Sequence, residues 1–188
     1  PASNFTGTDT FTYEVTDADG ATTTATVTLY VNPLNDSPLN TVPGNQTTGE
    51  DTPLVFTGPN AITVTDVDSP SVETTISVAH GTLTLGSLAG VTVTGDGTGS
   101  VTLTGSPAAI TAALSGLSYE NTPDYNGPDT LTILSTDGIA TTTANLAITV
   151  SPVADIAADT VSGTEDNAIS FNVLTGTNGA TADTFEGV

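Results

Sequence analysis

Ten residues near the N-terminus, Asn4-Phe5-Thr6-Gly7-Thr8-Asp9-Thr10-Phe11-Thr12-Tyr13, return as Asp124-Tyr125-Asn126-Gly127-Pro128-Asp129-Thr130-Leu131-Thr132-Ile133. An offset of about 120 residues is the spacing of a tandem domain, not of a turn. The echo continues, with Asp17 matching Asp137 and Thr22 to Val31 matching Thr141 to Val150, one residue being lost in the turn. A second echo joins Gly49-Glu50-Asp51-Thr52-Pro53-Leu54-Val55-Phe56 to Thr164-Glu165-Asp166-Asn167-Ala168-Ile169-Ser170-Phe171. The chain therefore divides into the C-terminal part of one repeat (1–36), a complete repeat (37–155) and the N-terminal part of the next (156–188). On this reading it is a window on a longer polypeptide.

Within each unit the side chains alternate. Phe11, Tyr13 and Val15 share one face of a predicted strand, and Ala25, Val27, Leu29 and Val31 share the same face of its partner. Thr fills the other face, and Asp17-Ala18-Asp19-Gly20 supplies the turn between the strands. Short strands are predicted at 54–56, 62–64, 75–78, 82–85, 91–93 and 101–103, with a Gly-rich turn from Gly95 to Gly99. One stretch breaks the pattern. Ser106 before Pro107, followed by Ile110, Ala113, Leu114 and Leu117 on one face and by Gly116, predicts a single short helix across one end of a sandwich.

Between the repeats lies Val31-Asn32-Pro33-Leu34-Asn35-Asp36-Ser37-Pro38, in which two prolines stop any strand. Val150-Ser151-Pro152-Val153-Ala154-Asp155 is the same device at the next boundary.

Charge narrows the function. There are 21 acidic residues and no Lys or Arg, for a net charge of −21. Nothing in the chain could neutralise a phosphate, so nucleic acid is excluded as a partner, and an anionic membrane surface is disfavoured. No apolar run approaches the roughly 18 residues of a membrane span, so no direct membrane insertion is expected. Without Cys there is neither a disulfide staple nor thiolate chemistry. Trypsin-like proteases find no cleavage site, which suits a life outside a cell.

Catalysis finds few parts. His80 is the only imidazole, so a two-histidine metal site is out of reach, and its place before Gly81 reads as structural, not as the base of a Ser-His-Asp triad. The aromatic residues alternate as core positions, leaving no apolar pocket to raise a carboxyl pKa for glycoside hydrolysis. The Gly95–Gly99 turn lacks the Lys of a phosphate loop. No enzymatic activity is expected.

Four motifs carry a resemblance. They are Asn4-Phe5-x-Gly7-x-Asp9-x-Phe11-x-Tyr13-x-x-x-Asp17, Asn35-Asp36-Ser37-Pro38, Glu50-Asp51-Thr52-Pro53-Leu54 and His80-Gly81-Thr82-Leu83. Together they resemble the cadherin-like tandem repeats of large bacterial RTX-type surface adhesins. The resemblance implies an all-β fold of Ig/cadherin-like Greek-key β-sandwich repeats in tandem, seven strands each, stacked head to tail with calcium at the junctions.

Calcium takes six to eight oxygen ligands, carboxylates among them. Candidates at the first junction are Asp17 and Asp19 from the preceding turn, Asn35 and Asp36 from the linker, and Glu50, Asp51, Asp66 and Asp68 from the following repeat. At the second they are Asp137, Asp155, Glu165, Asp166 and Asp183. Asp and Asn also favour turns for their local hydrogen bonds. The unrelieved charge of −21 inclines this set toward cations. The leading expectation is an extracellular, calcium-stabilised spacer of a long cell-surface adhesin, whose partners are the neighbouring repeats of its own chain. The alternatives are a subunit of a self-assembling extracellular fibre or surface layer, a homo-polymer held by strand complementation, and a calcium-dependent glycan-binding module using Tyr13 or Tyr125.

Overall fold

A computed structural model of the chain describes residues 1–155 and the short strand at 184–185. An N-terminal hairpin pairs β1 (Gly7–Thr16) with β2 (Thr22–Val31), antiparallel from Gly7↔Val31 to Thr16↔Thr22. After the linker come β3 (Leu39–Thr41), β4 (Gln46–Gly49), β5 (Leu54–Phe56), β6 (Thr63–Thr65) and β7 (Val72–Ser77). Then β8 (Gly81–Thr84), β9 (Val91–Thr94) and β10 (Ser100–Gly105) lead to the helix α1 (Pro107–Leu114). The unit closes with β11 (Leu117–Asn121), β12 (Gly127–Thr136) and β13 (Thr141–Ser151). Beyond it, the backbone of β14 (Ala154–Asp155) pairs with that of β15 (Thr184–Phe185). The opening strand predicted at Ile169–Phe171 lies outside the described residues.

The architecture is an all-β, Ig-like sandwich. A six-stranded sheet, in the order β4-β13-β12-β7-β10-β9, faces a three-stranded sheet, β5-β11-β8, and β3 with β6 forms a small third sheet. Strand β4 runs parallel to β13, with Gln46 opposite Ile148 and Gly49 opposite Ser151. Seven strands were implied for each repeat, and the complete unit runs from β3 to β13 in shorter pieces. Turns at Gly86–Gly90 and Gly95–Gly99 break what would otherwise be longer strands. Strands β3 and β4 escaped the pattern reading because they are short, polar and nearly featureless in alternation.

Period-two patterning builds the core. Phe56, Leu83, Leu117 and Tyr119 from the smaller sheet meet Ile76, Leu103, Leu131, Ile133, Leu146 and Ile148 from the larger, all nearly inaccessible. Each such aliphatic or aromatic side chain contributes about 1.5–3 kcal/mol by leaving water. Helix α1 starts where the sequence predicts it, with Ser106 Oγ accepting from Ala109 N at 3.2 Å and Ile110, Ala113 and Leu114 turned inward. Leu117 leaves the helical face to open β11, because Gly116 takes φ +87° and turns the chain. Thr111 Oγ1 accepts from Val64 N and donates to Val64 O, both at 2.9 Å, and so fastens the helix to the edge of β6.

At one end the core is polar and satisfied. Ser135 Oγ donates to Asn40 Oδ1 at 2.7 Å and lies 2.8 Å from Thr74 Oγ1, while Asn40 Nδ2 donates to the carbonyls of Ile133 and Thr142. This network ties β3 to the β12–β13 hairpin, and because every member is paired its burial carries no orphan penalty.

Candidate functional site

The linker is gripped by the repeat that follows it. Asn35 Nδ2 donates to Asp137 Oδ2 at 2.8 Å and to the Asp36 carbonyl at 3.1 Å, and Asp36 N donates to Asp68 Oδ2 at 3.1 Å. Asp66 Oδ1 accepts from Asp68 N and Ser69 N, holding the 66–68 loop in shape, while its buried Oδ2 has no hydrogen-bond partner among the described residues. Asp137 uses its other oxygen on Ile139 N and Ala140 N at 2.7 and 2.6 Å. The Ala140 amide, then Asn35, then the Ile139 amide hold the Asp137 carboxyl below the usual carboxylate range.

Glu50 occupies the opposite end of the complete repeat. It is 1% exposed, its own N donates to the Ser151 carbonyl at 2.9 Å, and Oε1 accepts from Val153 N. Its buried Oε2 has no hydrogen-bond partner among the described residues. Asp51 follows at φ +58° in the exposed turn after β4.

This geometry redraws the expected grouping of carboxylates. Asp137 belongs to the first junction and Glu50 to the second. A hairpin tip lies at the far end of its strands, so the tip of β12–β13 returns to the base of its own repeat and meets the incoming linker. Parallel pairing of β4 with β13 carries Glu50 to the exit. By the same logic Asp17 and Asp19, at the tip of β1–β2, stand a full ten-residue strand away from Asn35, about 33 Å. Asp17 Oδ1 accepts from Asp19 N and Ala21 N, the local turn that Asp137 also makes. Asn35, Asp36, Asp66, Asp68 and Asp137 are brought together at the first junction. The side chain of Asp155, with Glu165, Asp166 and Asp183, lies outside the described residues. Among the described residues no three acidic or imidazole side chains gather closely enough to hold a metal ion by themselves.

A third polar centre lies inside the complete repeat, apart from the carboxylates expected at the junctions. Asp129 is 5% exposed and accepts from Ala79 N at 3.1 Å, His80 N at 3.0 Å, Tyr119 Oη at 3.0 Å and Thr130 N at 2.7 Å. The Tyr119 hydroxyl also lies 2.9 Å from the His80 carbonyl. Burial, and then the bond to Asp129, push this phenol well above its usual value. The His80 ring stacks on Tyr125, centroids 4.0 Å apart and planes within 8°. Gly81 has no room for a side chain, since a Cβ there would sit 2.4 Å from the Glu120 carbonyl and 2.8 Å from Tyr119 Cε2. The signal was present in the sequence: Asp129 is a carboxylate at an inward position of an alternating strand, and Asp9 repeats it. A shallow recess of about 430 Å³ opens beside this centre, lined by His80, Pro128 and Asp129 among others.

Comparison with known proteins places one segment. Residues 1–30 match the family model of a bacterial Ig domain. No curated protein matches the chain. Among solved structures, domains 1–6 of the surface layer protein SbsC are similar at 16% identity and a TM-score of 0.31. That alignment covers 95% of this chain and 24% of the other, so the chain spans about a quarter of the length of that solved six-domain chain. The matched segment, residues 1–30, contains the whole β1–β2 hairpin but for its last residue, Val31.

Proposed function

We propose that the chain is a run of structural repeats from an extracellular, cell-surface protein, acting as a spacer whose joints are stiffened by cations. The observation that supports this reading most directly is the double grip on the linker, Asn35 on Asp137 and Asp36 on Asp68. A linker bonded by both its side chain and its backbone to the next repeat sets the direction in which that repeat points. The absence of basic side chains leaves the carboxylates of this joint without a protein counter-charge.

Calcium is the cation the donor chemistry suits, because the oxygens here are carboxylate and carbonyl. Asp36, Asp66, Asp68 and Asp137 would hold it at the first junction, and Glu50 at the second. The orphaned oxygens of Asp66 and Glu50 support this assignment. Because no three acidic side chains among the described residues gather closely enough to hold an ion by themselves, backbone carbonyls and water would have to complete the shell. Small-angle scattering of the chain in millimolar calcium and in chelator tests the proposal, with a longer and narrower distance distribution expected in calcium. Equal distributions would remove the cation from the account.

The reading as a self-assembling fibre or surface layer draws on a different observation, the uncovered apolar face of β1–β2, where Phe11, Tyr13, Val15 and Leu29 are each about half exposed. Electron microscopy of the native material separates the two, beaded threads supporting the spacer and ordered filaments supporting the fibre.

A further inference from the structure

The hairpin β1–β2 is one half of an interface whose other half can be read from the complete repeat. In register it duplicates β12–β13: Gly7↔Val31, Asp9↔Leu29 and Phe11↔Val27 correspond to Gly127↔Val150, Asp129↔Ile148 and Leu131↔Leu146. The irregular backbone before each first strand is also shared. Asn4 and Asp124 both sit at φ +60°, and Gly7 and Gly127 at +112° and +135°. What differs is cover. Leu131, Ile133, Leu146 and Ile148 are sealed, whereas Phe11, Tyr13 and Leu29 are open.

The polar groups show the same half-made state. Asp129 Oδ1 accepts from Thr130 N at 2.7 Å, and Asp9 Oδ1 accepts from Thr10 N at 2.8 Å. Asp129 then takes three further donors, the amides of Ala79 and His80 and the Tyr119 hydroxyl, and among the described residues Asp9 takes none of their kind. Phe5 stands where Tyr125 stacks on His80. Asp17 stands where Asp137 receives the amide of Asn35. A carboxylate in the middle of an apolar face selects a partner that offers N–H and O–H dipoles there and hydrocarbon around them.

We propose that this face seats the upstream body of its own repeat, a segment of the same polypeptide equivalent to residues 37–120, and that Asp9 is the residue that clamps it. The clamp closes on a tight turn with two free backbone N–H groups and on a hydroxyl from the neighbouring strand, a flat ring covers Phe5, and an incoming linker donates to Asp17. A second copy of the chain is a poor occupant. Its own 37–120 body is already seated on its own β12–β13, with the Ala79 and His80 amides taken by Asp129. This inference rests on the repeat reading and not on the cations, so failure of the scattering test leaves it standing.

The test compares the 188-residue chain with the same chain extended by one repeat of its natural upstream sequence, each with Asp9 intact, Asp9→Asn and Asp9→Ala. Hydrogen exchange is read at the β1 amides that do not bond β2. The expected result is at least 100-fold slower exchange in the extended chain, with protection reduced by Asp9→Asn and reduced further by Asp9→Ala. Equal exchange in the two chains would overturn the proposal, as would full protection in the Asp9→Ala extended chain. Concentration-dependent protection in the 188-residue chain, together with dimers in sedimentation, would overturn it in favour of a second copy.

Discussion

Asn35 Nδ2 lies 2.8 Å from Asp137 Oδ2 although 102 positions separate the two residues. The bond joins the linker to the hairpin tip of the next repeat, and no part of the apolar core depends on it. Asn35→Ala and Asp36→Ala are therefore expected to leave the urea unfolding midpoint of the complete repeat nearly unchanged while broadening the interdomain distances seen by small-angle scattering. Asn35→Asp should loosen the joint further, most of all at low ionic strength, where repulsion between like charges is least screened. Loss of the folded repeat in any of these variants would show that the linker belongs to the domain.

Acid should release the same joint. The Asp137 carboxyl titrates below its usual 3.8 because the Ala140 amide, Asn35 and the Ile139 amide favour the ionised form. With the folded value below the unfolded one, the contribution is fully present above pH 3.8 and is lost as pH falls through the folded value. The difference in midpoint between the parent and Asp137→Ala should be constant from pH 5 to 8 and shrink below 3.8. A difference that does not shrink as the pH falls below 3.8 would remove the carboxylate from the explanation.

Tyr119 gives the opposite limb. Burial and Asp129 raise its phenol above the usual 10.0, so the neutral form is the one the fold prefers. Its contribution is whole below pH 10.0 and is lost as pH rises toward the folded value. Alkaline denaturation should set in above that point. Tyr119→Phe should be less stable at pH 8, having lost its hydrogen bonds, and should have a shallower alkaline limb. An unchanged alkaline limb would mean that another group governs it.

The centre around Asp129 should be the most sensitive polar site in the repeat. Asp129→Ala takes the acceptor from the amides of Ala79, His80 and Thr130, while the Tyr119 hydroxyl keeps only the His80 carbonyl, at a cost of about 3 kcal/mol in urea unfolding. Asp129→Asn keeps one acceptor oxygen and should cost less. Gly81→Ala forces a methyl into the Glu120 carbonyl and the Tyr119 ring, and overpacking of that kind costs about 1–3 kcal/mol. Near-parental stability in Asp129→Ala would show that the donors find water instead.

Calcium should raise the melting temperature. Extracellular sites of this kind bind at about 0.1–1 mM, and stabilisation grows with the logarithm of concentration above that. Melting curves in chelator and in 10 mM calcium, taken at equal ionic strength, should differ by several degrees, and superimposable curves would rule calcium out.

The local patterns were legible in the sequence where residues speak for themselves. Alternation gave β1, β2, β12 and β13, and the Ser106-Pro107 pair announced α1. What escaped was set by partners distant in the chain. Strand β4 has no alternating face of its own and exists because β13 runs beside it, and with β4 goes the position of Glu50. Asn35, Asp36, Asp66, Asp68 and Asp137 meet at one linker while Asp17 and Asp19 stand at a hairpin tip, because the end of the sandwich each occupies depends on strand direction. Asp129 was visible as part of a repeated motif, while its role needed the Ala79–Gly81 turn and Tyr119, which reach it only in three dimensions.

The parallel pairing of β4 with β13 has a mechanical consequence. These two strands lie close to the entry and the exit of the complete repeat and point the same way. Tension along the polypeptide therefore drags them in opposite directions along their common axis. The four register pairs from Gln46↔Ile148 to Gly49↔Ser151, and the Glu50 bonds to Ser151 and Val153 beyond them, are loaded together in shear instead of opening one at a time. Under a steady pull in flow, the strand that sequence patterning could not see is the one on which rupture of the repeat turns.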